Sequence, residues 1–335
     1  MNSAYGSPPL LEVQNLQVSA GLPREKIIVS DFTAEFYPAE ITGIIGESGS
    51  GKTLTTQAFA RLRRDIKVTA QTLRFGDSDL MKLDEQGLRL LRGRQIGYIA
   101  QNPAQSLSPY ERIRRQLARV ALRAGVGDGE NVAAALREAG ISDASAVMDR
   151  YPYQLSGGLS QRVMIAIMLI MKPALVIADE PTSSIDASLT SQILRQFATL
   201  PEVHGTSLVV ITHDFSVIRR ICSQVIVMYR GLIMESGGFR DIAESAQHPY
   251  TRALVDCSIS LSSAPADTAL PGIPVLQPDL NPAQCGCPFA PRCELATVRC
   301  IRHRPPLERR GRRMLRCHHR TLDESGPGLI AELER

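Results

Sequence analysis

GESGSGKT, Gly46 to Thr53, follows the apolar run Ile41-Thr42-Gly43-Ile44-Ile45 and leads into helix-forming sequence from Lys52 onward. A strand that ends in a glycine-rich turn and enters a helix at Lys-Thr is the phosphate-loop pattern G-x-x-x-x-G-K-[ST] in its expected context. Gly46, Gly49 and Gly51, with Ser48 between them, would let backbone N–H groups curl around a phosphate. Lys52 would reach the β- and γ-phosphates of a nucleotide, and the Thr53 hydroxyl a Mg2+ ion. Such a loop sits at the carboxyl end of a strand in an open α/β sheet, which fixes the fold class.

Outward from the loop, three further strand ends carry polar residues. LVIADEP, Leu175 to Pro181, is a buried-looking strand that ends in two carboxylates. Asp179 would hold Mg2+ through water, and Glu180 could polarise an attacking water as general base. Gln101 follows the strand Ile96 to Ala100, and His213 ends VVITHD. A different kind of site stands at LSGGLSQR, Leu155 to Arg162, ahead of the apolar run Val163 to Ile170. Ser156 would cap that helix, and the N–H groups of Gly157 and Gly158 would favour an anion at its start. It has no lysine, so it is weak alone and suited to completing a site that another loop already holds.

The remaining sequence predicts a β-rich opening, Leu11 to Val18 and Ile27 to Phe36, around Gly21-Leu22-Pro23. Helical sequence fills Leu83 to Arg94 and Glu111 to Gly140, and a helix is expected over Leu189 to Leu200. Strands are expected at Leu208 to Ile211 and Val225 to Met228. At 335 residues the chain exceeds one ordinary domain, and a main domain of roughly 250 residues with an appendage is expected. Hydrophobic content of 44% with a formal charge of +4 favours neither a nucleic-acid binder nor a membrane protein. No apolar run approaches the ~20 residues of a membrane span. The polar start, Met1 to Pro9, has no secretory pattern, which points to the cytoplasm.

In the order Gly46, Gln101, Leu155, Asp179-Glu180, Asp186 and His213, these motifs resemble those of the ATP-binding subunits of ABC transporters. The resemblance implies a RecA-like P-loop parallel-sheet core with an N-terminal antiparallel β subdomain, a helical insertion over about 102–165 and a cysteine-rich C-terminal extension. It implies ATP and Mg2+ as ligands, with Thr53 and Gln101 on the Mg2+, and Glu180, His213 and Gln101 in catalysis. It also implies a head-to-tail dimer. Ser156, Gly157, Gly158 and Gln161 of one chain would then close over nucleotide in the partner's phosphate loop, with Asp186 in the adjoining D-loop. No aromatic lies between Tyr5 and Phe32, where the family often stacks adenine, so an aliphatic such as Val18 or Ile27 is left for the base.

After the core come HPYTRALV (His248 to Val255), PGIPVL, CGCPFAPRC and RCHHR. They resemble the C-terminal extension of the dipeptide, oligopeptide and nickel importer ATPases, dividing the chain into 1–257 and 258–335. Cys287, Cys293, Cys300 and Cys317 are spaced C-x5-C-x6-C-x16-C, which matches neither a zinc ribbon nor a ferredoxin run. Four thiolates suit Zn2+ or a [4Fe–4S] cluster; the resemblance implies the cluster, as a structural staple, with Cys285 a bystander. The tail from Arg302 to Arg320 holds eight arginines and one acidic residue without interleaved aromatics. A solvated face, or one against an acidic subunit, is expected there rather than nucleic acid.

The expectation is an importer ATPase for di- or oligopeptides or related solutes, peripheral at the cytoplasmic face of the inner membrane. Its partners would be a second, paralogous ATPase subunit, two multi-span permease subunits and, indirectly, an external solute-binding protein. The alternative from another class is an ABC-type ATPase of a soluble phosphonate-cleavage complex.

Overall fold

The computed structural model describes residues 7–21, 25–127, 129–183, 185, 187–263 and 286–319, and its contacts divide the chain into two compact units, Met1–Leu232 and Ile233–Arg335. The first unit opens with β1 (Leu11–Ala20), β2 (Lys26–Phe36), β3 (Ile41–Ile45) and helix α1 (Lys52–Phe59). Three short strands follow, β4 (Ile66–Thr69), β5 (Thr72–Phe75) and β6 (Ser78–Asp79). Then come α2 (Glu85–Arg94), β7 (Ile96–Ile99), α3 (Ile113–Ala124), α4 (Glu130–Glu138), α5 (Ala144–Met148) and α6 (Gly157–Met171). The unit continues through β8 (Leu175–Asp179), α7 (Ala187–His204), β9 (Ser207–Thr212), α8 (Phe215–Ile221) and β10 (Gln224–Tyr229).

Two sheets result. An antiparallel one runs β2-β1-β5-β6, with β4 also on β1. A parallel one runs β10-β3-β9-β8-β7. β3, β8 and β9 are buried along their whole length, as strands covered by helices on both faces must be. This is the expected parallel core with a β-rich opening and a helical insertion. The short strands β4 to β6 go beyond the sequence reading, because the pairing of β4 and β5 with β1, and of β6 with β5, leaves no local signal beyond alternation. The helical run Glu111 to Gly140 breaks in two where Gly125 takes φ 71, a left-handed helix end. α6 continues unbroken through residue 165, and Val163 to Ile170 is buried all round, which explains its uniformly apolar sequence.

The second unit holds β11 (Leu232–Gly238), α9 (Phe239–Ser245), α10 (Pro249–Ser263), α11 (Val298–Arg302), β12 (Glu308–Arg310) and β13 (Arg313–Leu315). α10 runs through the change in composition at Ser258. β13 pairs antiparallel with β11 and β12, so part of the arginine-rich tail is a hairpin turning at Gly311, with φ 58. Among the described residues no helix is long and apolar enough to cross a membrane.

Candidate active site

The parallel register gathers the motif residues at one end of the sheet. Ile45 pairs with Thr212, Ile211 with Asp179, and Ala178 with Ile99. Each strand's next residues therefore emerge side by side: the phosphate loop after β3, His213 after β9, Glu180 after β8 and, two residues past β7, the exposed Gln101.

The loop reaches α1 through Gly51, the helix N-cap, at φ 93. That left-handed conformation is costly for any residue with a Cβ. Lys52 is 6% exposed and folds over its own loop, donating from Nζ to the carbonyl oxygens of Gly46 at 2.8 Å and Glu47 at 2.9 Å. Burial lowers its pKa, an effect opposed by the charges of Glu180, Asp179 and Glu47. The ammonium is thus placed where a phosphate could exchange for carbonyl partners.

Asp179 is 4% exposed, and both of its carboxylate oxygens are held. Thr53 Oγ1 donates to Oδ1 at 3.1 Å and Tyr98 OH to Oδ2 at 3.0 Å. Burial raises its pKa, partly offset by those two hydroxyls. Thr53 and Asp179 are therefore already paired where a divalent cation would need both, and the donor chemistry suits Mg2+. Glu180 has φ 46, a strained backbone for a residue with a side chain, and its N–H donates to the Ile211 carbonyl at 2.9 Å. The turn brings Glu180 Oε1 to 2.7 Å from His213 Nδ1. This is a carboxylate oriented by an imidazole.

Ser156 caps α6, its Oγ accepting from Leu159 N at 3.3 Å, as expected. Ser156 and Gly157 are exposed. Gly158 is buried under Leu189 of α7, so closely that a Cβ there would lie 2.0 Å from Leu189 Cδ2. Gln161 is 1% exposed, its amide nitrogen without a partner among the described residues, so the structure places it inside rather than beside Ser156 on the surface. Asp186 lies outside the described residues. Of the two aliphatics left for adenine, Val18 is fully buried and cannot meet a base, whereas Ile27 is 55% exposed. Phe32, the next aromatic, is buried against Phe59 with ring centroids 5.6 Å apart.

In the second unit HPY has a structural explanation. Glu235, fully buried, accepts from Gln247 N at 3.0 Å, His248 N at 2.9 Å and Arg313 Nη2 at 3.2 Å. His248 Nδ1 accepts from Tyr250 N at 3.0 Å, and its ring meets Phe289 of the cysteine segment edge-on at 5.8 Å. Burial pushes the His248 pKa down to about 3. Of the four expected metal ligands, Cys287 and Cys300 are buried and Cys293 and Cys317 partly so. Burial pushes the Cys287 thiol up to about 12, opposed by the Phe289 backbone and reinforced by Cys317, Cys300 and Cys293. Cys300 Sγ lies 3.2 Å from His319 Nε2. Even so, among the described residues no three His, Cys, Asp or Glu side chains form a group able to hold a metal ion. The expected centre is not preformed, and Cys285 lies outside the described residues.

Residues 29–183 match the family model described as ABC transporter, and residues 234–300 the one described as oligopeptide/dipeptide transporter, C-terminal region. The chain is similar to the oligopeptide transport ATP-binding protein OppD of Salmonella typhimurium, with 36% identity over 94% of this chain and 95% of that one. It is also similar to the dipeptide transport ATP-binding protein DppD of Haemophilus influenzae, with 34% identity over 95% of this chain and 98% of that one. Among solved structures it resembles the dimeric bacterial ABC transporter cassette MJ0796, with 25% identity, TM-score 0.61, and 69% and 99% of the two chains covered. For cbiO1 from Clostridium perfringens the values are 24%, 0.60, and 72% and 93%, a likeness of fold.

Proposed function

Because this chain belongs to the ATP-binding subunits of ABC transporters that carry the oligopeptide/dipeptide transporter C-terminal region, we propose that its ATP hydrolysis drives import of di- or oligopeptides through separate membrane permease subunits. The observation that carries the catalytic part is the joint placement of Thr53–Asp179 and His213–Glu180 at adjacent strand ends. Bound Mg2+ would neutralise charge on the β- and γ-phosphates; Thr53 and Asp179 would hold it, with Gln101 beside them. Lys52 would exchange the Gly46 and Glu47 carbonyls for phosphate oxygens. Glu180 Oε1 or Oε2 would take the proton of the attacking water, and His213 would hold that carboxylate in place.

The exposed Ser156 and Gly157 at the start of α6 support the head-to-tail reading, in which they complete the site of a second, paralogous ATPase subunit. A groove of about 660 Å³ between α2 and α3 supports docking of the permease at the peripheral, membrane-facing side. Its walls include Leu90, 60% exposed, and Leu122, 80% exposed, both large apolar side chains suited to burial against a partner.

The same reading extends to the tail, where Cys287, Cys293, Cys300 and Cys317 would ligate a [4Fe–4S] cluster or Zn2+. The backbone bond from Cys287 N to the Cys300 carbonyl at 2.7 Å, which joins two of the four segments, supports it, and loading would strip the thiols of their protons. Metal analysis of anaerobically purified protein tests this: about four irons or one zinc per chain is expected, and neither metal would refute it.

The transport reading is tested by co-expressing the chain with its membrane partners and measuring uptake of labelled peptide into vesicles loaded with ATP. Uptake that Lys52→Ala abolishes is expected. Failure to co-purify with any multi-span protein would overturn it.

A further inference from the structure

β7 contributes more to the site than the loop that follows it. In the parallel register Tyr98 lies opposite Ile177, so its side chain shares a face with Asp179, two residues further along β8. A tyrosine is long enough to cover that offset, and its hydroxyl donates to Asp179 Oδ2 at 3.0 Å while Thr53 holds Oδ1 at 3.1 Å. Thr53, which shares Asp179 with Tyr98, is the second residue of α1, the helix that begins at Lys52. Through Asp179, Tyr98 is therefore linked to Thr53 at the start of α1, and it stands three residues before Gln101, which follows β7.

We propose that Tyr98 is a positioning residue of the ATPase: its hydroxyl fixes the rotation of the Asp179 carboxylate, keeping Oδ1 turned to Thr53 and available to the nucleotide's divalent cation. The proposal rests on the ATPase reading. A carboxylate held at one oxygen only can swing about its terminal torsion; one held at both is oriented before the cation arrives. Partners of this kind, which orient a metal ligand without touching the metal, commonly change metal affinity by about 10- to 100-fold. Because Tyr98 lies on the strand that leads into Gln101, displacement of that strand would be felt at the cation site.

Tyr98→Phe removes the hydroxyl and keeps the ring. The test uses the full chain and a fluorescent ATP analogue, titrated with Mg2+ and, separately, in EDTA. The Mg2+ concentration at half-saturation should rise about tenfold, with binding in EDTA unchanged within about twofold. In an Asp179→Asn background, Tyr98→Phe should have no further effect on the Mg2+ response, the pattern of two residues acting as one unit. An unchanged Mg2+ response, or an equal loss of binding in EDTA, would overturn the proposal. No nucleotide binding by the unaltered chain under either condition would overturn the ATPase reading, and the proposal with it.

Discussion

Glu180 Oε1 and His213 Nδ1 lie 2.7 Å apart across the ends of two neighbouring parallel strands, β8 and β9. The contact depends on the left-handed backbone of Glu180, which turns its side chain out of the strand direction. His213 is therefore expected to act through Glu180. His213→Ala should lower kcat roughly 10- to 100-fold, less than the roughly 100- to 10,000-fold of losing the acid–base group itself, and leave KM for ATP within about twofold. Steady-state ATPase kinetics check this, and an unchanged kcat would make the contact incidental.

Gly158 is set by space. Its missing Cβ would meet Leu189 Cδ2 at 2.0 Å, so Gly158→Ala forces Leu189 to move or the helices to part. A loss of about 1–3 kcal/mol is expected, the usual cost of overpacking. Adding Leu189→Ala should recover most of it, as read from denaturant unfolding of the single and double variants.

His248 is expected to make the second unit acid-sensitive. Its folded pKa, about 3, lies below the ordinary value near 6.5, so the unfolded state takes up a proton first as pH falls. The stabilisation is complete above about pH 6.5 and is lost progressively from there down towards about pH 3. Limited proteolysis should show faster cleavage within residues 233–319 at pH 5 than at pH 7.5. His248→Gln should flatten that difference.

Much of the site was legible because its signals are local. Gly46 to Thr53 needs only a strand, glycines and Lys-Thr in order, and Asp179-Glu180 only an apolar run before two carboxylates. Tyr98 was missed because its role depends on which residue of β8 lies opposite it, and register between strands far apart in sequence leaves no mark on either. The burial of Gln161 escaped for a related reason, since helical periodicity is silent along a helix covered on all sides. Val18 was a poor guess for adenine because strand alternation shows which residues share a face but not which face is covered. In the tail, the arginine-rich sequence hid the β12–β13 hairpin, whose pairing rests on the buried Met314 and Leu315.

If Ser156 acts across a dimer, Ser156→Arg should leave nucleotide binding to the isolated chain near normal while lowering ATPase of the assembled pair at the partner's site by about tenfold or more. Arginine's bulk would hold the two chains apart where the phosphate meets the helix start. Binding to the single chain, followed by ATPase of the reconstituted pair, decides the matter. A loss of binding as severe as that of Lys52→Ala would assign the helix start to its own chain's loop.

The most direct measurement is single-site turnover by Glu180→Gln in the assembled complex, with ATP binding followed in parallel. Removing the proposed base while keeping its shape should leave ATP bound with near-normal affinity and slow hydrolysis by about 100-fold or more. Hydrolysis within a few-fold of the unaltered complex would contradict the account, because the carboxylate that His213 holds would then not be the base.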